Sequence, residues 1–129
     1  MAAINLSTEG AKESRSAIKQ FHICLNSLDV IPEQAYRRNS GAYPLVCYIN
    51  NVVGLFLSKN YEVIPIFVAR AIEHMEAFPP NAATAAYYEL AERYLMQVVY
   101  HLRNFVGGVD KWDDRIPASF LEAGPQRWQ

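Results

Sequence analysis

The chain has 129 residues, 51% of them hydrophobic and 19% charged, with a formal net charge of -1. That length and composition suit one globular domain with a core of its own and exclude a disordered or low-complexity chain. The near-neutral charge excludes a general electrostatic pull toward nucleic acid or membranes, so any such affinity must come from local clusters of Lys and Arg.

Ser7 or Thr8 can cap a first helix, with Glu9 and Glu13 near its positive end. Ile18, Phe21, Leu25 and Leu28 form its apolar stripe, while Lys12, Arg15 and Lys19 project from another sector. Asp29 and Pro32 close this helix and open a short second one over residues 33–38, which Asn39-Ser40-Gly41 breaks. Pro44 suits the first turn of a third element, where its missing N–H has no helical partner in any case. Residues 45–57 are apolar almost all round, with only Asn50 and Asn51 polar. The length of that run favours a central helix over a buried strand.

Ser58-Lys59-Asn60 is a polar stop, and Pro65 opens a fourth helix. Its inner stripe is Phe67, Val68, Ala71, Ile72 and Met75, with Arg70, Glu73 and Glu76 outside or at the edge. Pro79-Pro80-Asn81 separates it from the longest periodic segment, residues 82–106. There Tyr87, Leu90, Ala91, Tyr94, Leu95, Val98, Leu102 and Phe105 repeat at gaps of three and four. Tyr88, Glu89, Glu92, Arg93, Gln97, Arg103 and Asn104 are expected largely on the opposite face. Gly107-Gly108 ends the segment. Five helices on short loops predict an all-α fold, a small antiparallel bundle over residues 1–108. Residues 109–129 are charged and broken by Pro117 and Pro125, with one helical turn at 118–122. They read as a tail packed on the bundle or on a partner, and as dispensable for folding.

No run is long and apolar enough to span a bilayer, and Met1 to Ser7 lacks the pattern of a secretion signal, so a cytoplasmic protein without membrane contact is expected. Cys24 and Cys47 lie on predicted helices without a CxxC spacing, which predicts buried free thiols. Neither metal nor cofactor is expected. The Glu-x-x-His pairs of a di-metal bundle do not occur, nor do HExxH, a phosphate-cradling glycine loop or a GxSxG elbow. The pairs Glu73/Glu76 and Glu89/Glu92 read best as solvated surface. Arg70 lies one turn before His74, and the pair resembles the Arg-x4–6-His motif of the HEPN ribonucleases, but its spacer Ala71-Ile72-Glu73 is too short by at least one residue. A surface i,i+4 pair is the better account. Trp112 and Trp128 either anchor a partner or fasten the tail to its own domain.

Three pieces of the chain resemble the small all-helical subunit of type III-B (Cmr-type) CRISPR RNA-guided effector complexes. The first is Tyr36-Arg37 followed by Pro44 at the head of an apolar helix. The second is Phe56-Leu57-Ser58-Lys59, similar to the Phe-x-x-Ser-Lys end of that family's central helix. The third is Tyr88-x-Leu90, Arg93, Leu95 and Val98 running into Leu102-Arg103-Asn104-Phe105, similar to the family's last helix. The chain departs from the pattern in several places. The stretch from Pro44 to Lys59 is about one turn short, Asn51-Val52 stands where Asn-Gly-Leu is usual, and His101 and Asn104 replace a Trp and a basic residue.

The resemblance implies a protein with no catalysis of its own. It would stack on neighbouring subunits, with possible self-association, and touch guide and target RNA through backbone phosphates. Lys12, Arg15 and Lys19 make one basic stripe, which Arg37, Arg38, Lys59 and Arg103 can join if the bundle gathers them. The alternative is a small helical inhibitor or immunity protein that binds one protein target, through a tail carrying Trp112 and Trp128.

Overall fold

The computed structural model describes residues 16, 18–20, 43–82, 84–104, 109 and 111–124. Every regular element among them is helical, which makes the fold all-α. In chain order they are α1 (Tyr43–Leu57), a 3-10 turn (Tyr61–Val63), α2 (Ile64–Ala77), α3 (Ala85–Asn104) and α4 (Ala118–Leu121). The expected helix over 33–38, most of the first helix and Cys24 lie outside the described residues. Residues 18–20 are helical, with Ile18 buried in the core and Lys19 exposed, on the sides their pattern assigns them. Among the described residues no helix is long and apolar enough to cross a membrane.

Residues 45–57 form a helix and not a strand, but its surface is not uniformly buried. Leu45, Val46, Ile49, Val52 and Phe56 face the core at helical spacing, whereas Asn50, Asn51, Gly54 and Leu57 are exposed. Cys47 is half-buried and free, rather than enclosed as expected. α1 packs chiefly on α2 through the short 3-10 turn, and the two form a helical hairpin. Pro65 stands in the first turn of α2, and Ile64, Pro65, Val68, Ala69, Ala71 and Ile72 are buried. Ile64, Val68 and Ile72, so enclosed, each contribute about 1.5–3 kcal/mol of transfer free energy, and the two alanines less.

α3 begins at a capping arrangement that the Pro-Pro-Asn break did not reveal. Thr84 N–H donates to Asn81 Oδ1 at 3.1 Å, and Asn81 N–H donates back to Thr84 Oγ1 at 3.0 Å. The two residues thereby satisfy each other's N–H groups reciprocally, and the Thr84 N–H also reaches the Asn81 carbonyl. Tyr87, Ala91, Tyr94, Leu95, Val98, Val99 and Leu102 are buried, and Leu90 is half-buried. Burial pushes the Tyr94 hydroxyl well above its usual range. Tyr88 and Gln97, expected on the outer face, are buried as well. Each is buried with a hydrogen-bond partner, which offsets the cost of removing its polar group from water.

The described residues after α3 pack against the helices as a strap. Val109, Ile116 and Phe120 join the core cluster, and Val109 N–H donates to the Leu102 carbonyl at 3.1 Å. Arg115 pins the strap to α2, with one guanidinium nitrogen 2.8 Å from Glu73 Oε2 and another 2.8 Å from Asp113 Oδ2. Hydrogen bonds from Arg115 hold the Asp113 carboxyl down at about 2. The pair is solvent-exposed, so it fixes position more than it adds stability. Three buried apolar side chains thus pack the described part of this stretch on the helices.

Candidate functional site

The corner between α1 and α2 is the most distinctive exposed feature. Phe56 is buried, and its ring meets Tyr61 edge-on at 5.5 Å between centroids. Beyond it the chain turns sharply. Asn60 N–H donates to the Leu55 carbonyl at 2.9 Å and Lys59 N–H to the Phe56 carbonyl at 3.2 Å. These are the two bonds of a Schellman ending, with Lys59 at the position that needs a left-handed backbone. Lys59 has φ 65°, the only positive φ of a non-glycine residue among those described. Glycine takes this conformation at no steric cost, whereas a residue with a Cβ is strained by about 1–2 kcal/mol. Side chains brace the turn: Ser58 Oγ donates to the Leu55 carbonyl at 3.2 Å, and Asn60 Nδ2 donates to Ser58 Oγ at 2.8 Å.

The result is a hydrogen-bonded corner with an exposed lysine on it. Leu57, Val63 and Ile66 flank Lys59 in the chain and are 55%, 40% and 45% exposed. A cleft of about 270 Å³ lies beside them, lined by residues 59–63. One end of the hairpin thus offers apolar surface next to an exposed cation.

The remaining predicted RNA contacts are distributed differently. Lys19 is exposed on its helical segment. Arg103 is exposed but engaged, since its guanidinium donates to the Leu121 carbonyl and so ties α3 to the strap. Lys12, Arg15, Arg37 and Arg38 lie outside the described residues, as does Trp128. Trp112 is half-buried against the core, and its Nε1 donates to the Val109 carbonyl at 2.9 Å. Its ring packs on this chain's own core, and its hydrogen bond stays within the strap.

Arg70 and His74 each meet a different aromatic ring. The Arg70 guanidinium lies 5.6 Å from the centre of the Phe67 ring, and the His74 ring lies 4.9 Å from that of Phe78. His101 has its Nε2 2.7 Å from Gln97 Nε2. With the amide N–H as donor, this imidazole nitrogen is the acceptor. Burial lowers the His101 pKa to about 4. Among the described residues no group of three or more His, Cys, Asp or Glu is placed to hold a metal ion.

No protein-family model matches the chain, and no curated protein or solved structure is significantly similar to it. Sequence reasoning treated Ser58-Lys59-Asn60 only as a polar stop and as the end of a family-like motif. The left-handed turn escaped it, because glycine or asparagine normally signals that conformation and neither stands at position 59.

Proposed function

We propose that this protein is a non-catalytic structural small subunit of a type III CRISPR RNA-guided effector complex, one that docks on neighbouring subunits and touches the guide or target RNA backbone. The observation that carries the reading is Lys59. A lysine held in a backbone conformation that favours glycine costs stability, and such strain is characteristic of functional positions. Its exposed ammonium is suited to a phosphate, and the exposed Leu57, Val63 and Ile66 are suited to a protein neighbour. The resemblance of Phe56-Leu57-Ser58-Lys59 to the end of the family's central helix supports the same reading.

The test is isolation of the affinity-tagged chain from its native cells, followed by identification of co-eluting RNA and protein. Guide RNA of defined length together with effector subunits is the expected outcome. A single stoichiometric protein without RNA would replace this reading with that of an inhibitor or immunity protein, for which the same apolar corner would be the contact surface.

A further inference from the structure

A second cleft, of about 280 Å³, opens where α2, α3 and the strap meet. Ile72 and Tyr88 line it from the two helices and Phe120 from the strap, all three buried, and the half-buried Met75 adds a flexible thioether. The Tyr88 hydroxyl donates to the Phe78 carbonyl at 2.7 Å, so the tyrosine lends the cleft mainly its ring. Two exposed carboxylates, Glu76 on α2 and Glu92 on α3, also line the cleft. Neither has an ion-pair partner among the described residues.

We infer that this cleft seats one arginine side chain presented by a protein partner. Its volume falls just below the roughly 300 Å³ at which small-molecule pockets begin, and suits a single long side chain. The methylene stem of an arginine would cover the apolar lining while its head stays among the carboxylates. A planar guanidinium can engage two carboxylates from different elements at once, which an ammonium does less well. The molecule already uses that arrangement one turn away along α2, where Arg115 bridges Glu73 and Asp113. Burying an arginine between Glu76 and Glu92 would offset a pair of negative charges for which the described residues supply no ion-pair partner. The inference concerns protein contact alone and does not depend on any contact with RNA.

The test is titration of the isotopically labelled full-length protein with a blocked pentapeptide, Gly-Leu-Arg-Leu-Gly, followed by amide chemical shifts. A second peptide replaces the arginine by citrulline, which has the same shape and no charge. The arginine peptide is expected to give saturable shifts centred on residues 72–76, 88–92 and 117–120. The citrulline peptide should bind about tenfold more weakly or worse, a difference of about 1.4 kcal/mol. Glu76→Gln combined with Glu92→Gln should bring the arginine peptide to the citrulline level and leave the rest of the spectrum unchanged. Equal binding of the two peptides, shifts centred elsewhere, no saturable shifts at all, or full affinity in the double variant would each overturn the inference. The peptide comparison needs only the unaltered protein, so it decides the matter even if the double variant folds poorly.

Discussion

The Tyr88 hydroxyl reaches across the break between α2 and α3 and donates to the Phe78 carbonyl at 2.7 Å. Phe78 caps α2, its own N–H bonded to the His74 carbonyl at 2.9 Å. One hydrogen bond therefore joins the end of one helix to the first turn of the next, over a linker that contains two prolines. Burial raises the Tyr88 pKa, which keeps the phenol protonated as the donor. Tyr88→Phe retains the ring and removes only this bond, so it should destabilise the fold by about 1 kcal/mol. Urea unfolding is expected to show a lower midpoint with an unchanged slope; an unaltered midpoint would mean that the linker is held by other contacts.

The three long helices are legible because proline, spacing and length agree. Pro44 and Pro65 mark two starts, and gaps of three and four select the buried faces of α2 and α3. Misassignments occur where a specific hydrogen-bond partner takes a polar group into the interior. Tyr88 and Gln97 read as surface because polarity was their only visible property, yet a carbonyl ten residues away and a histidine one turn away satisfy them in the interior. Arg103 joined the basic residues by type, but its guanidinium is committed to the Leu121 carbonyl, which no local pattern reveals. The strap looked polar because its three core residues are spread thinly among charges and prolines.

The strap should prove integral to the fold. Phe120 is 6% exposed and Ile116 is 4% exposed, so each truncation to alanine removes buried surface and leaves a cavity. Phe120→Ala is expected to cost about 3–5 kcal/mol and Ile116→Ala about 2–5 kcal/mol. Arg115→Ala, which removes only an exposed ion pair, should leave the unfolding transition nearly unchanged. Thermal unfolding followed by circular dichroism distinguishes these magnitudes. Losses below about 1 kcal/mol for both core truncations would return the strap to the status of a detachable tail.

Stability should fall on mild acidification through His101. Its folded pKa is lowered to about 4, against 6.5 for an unperturbed imidazole. Between those values the unfolded chain binds the extra proton and the folded one does not, so stability rises with pH across the window. The contribution is present above pH 6.5 and is lost progressively as pH falls through that value toward 4. The imidazole is partly solvated, and the loss should amount to about 1–2 kcal/mol, less than full linkage would give. His101→Gln keeps an acceptor near Gln97 but cannot titrate. Comparing urea midpoints at neutral pH and near pH 5 should show a smaller decline in the variant, whereas equal declines would assign the acid sensitivity to other groups.

Lys59 offers a separation of stability from binding. Replacing it with glycine removes the steric strain of the left-handed turn, at the expense of a more flexible unfolded chain. The balance should raise stability by about 0.5–1 kcal/mol, because the main-chain bonds to Leu55 and Phe56 need no side chain. The same change deletes one exposed cation. For the isolated protein, affinity for duplex RNA should be weak and confined to low salt, since the net charge is only -1. Each phosphate contact releases condensed counterions, so Lys59→Gly should lower affinity and make the dependence of log K on log salt shallower by about one. Lys59→Arg keeps a cation and should restore the slope without relieving the strain. A glycine variant that is more stable and binds RNA with undiminished slope would show that the lysine contacts no phosphate, and the corner would then be a surface for protein alone.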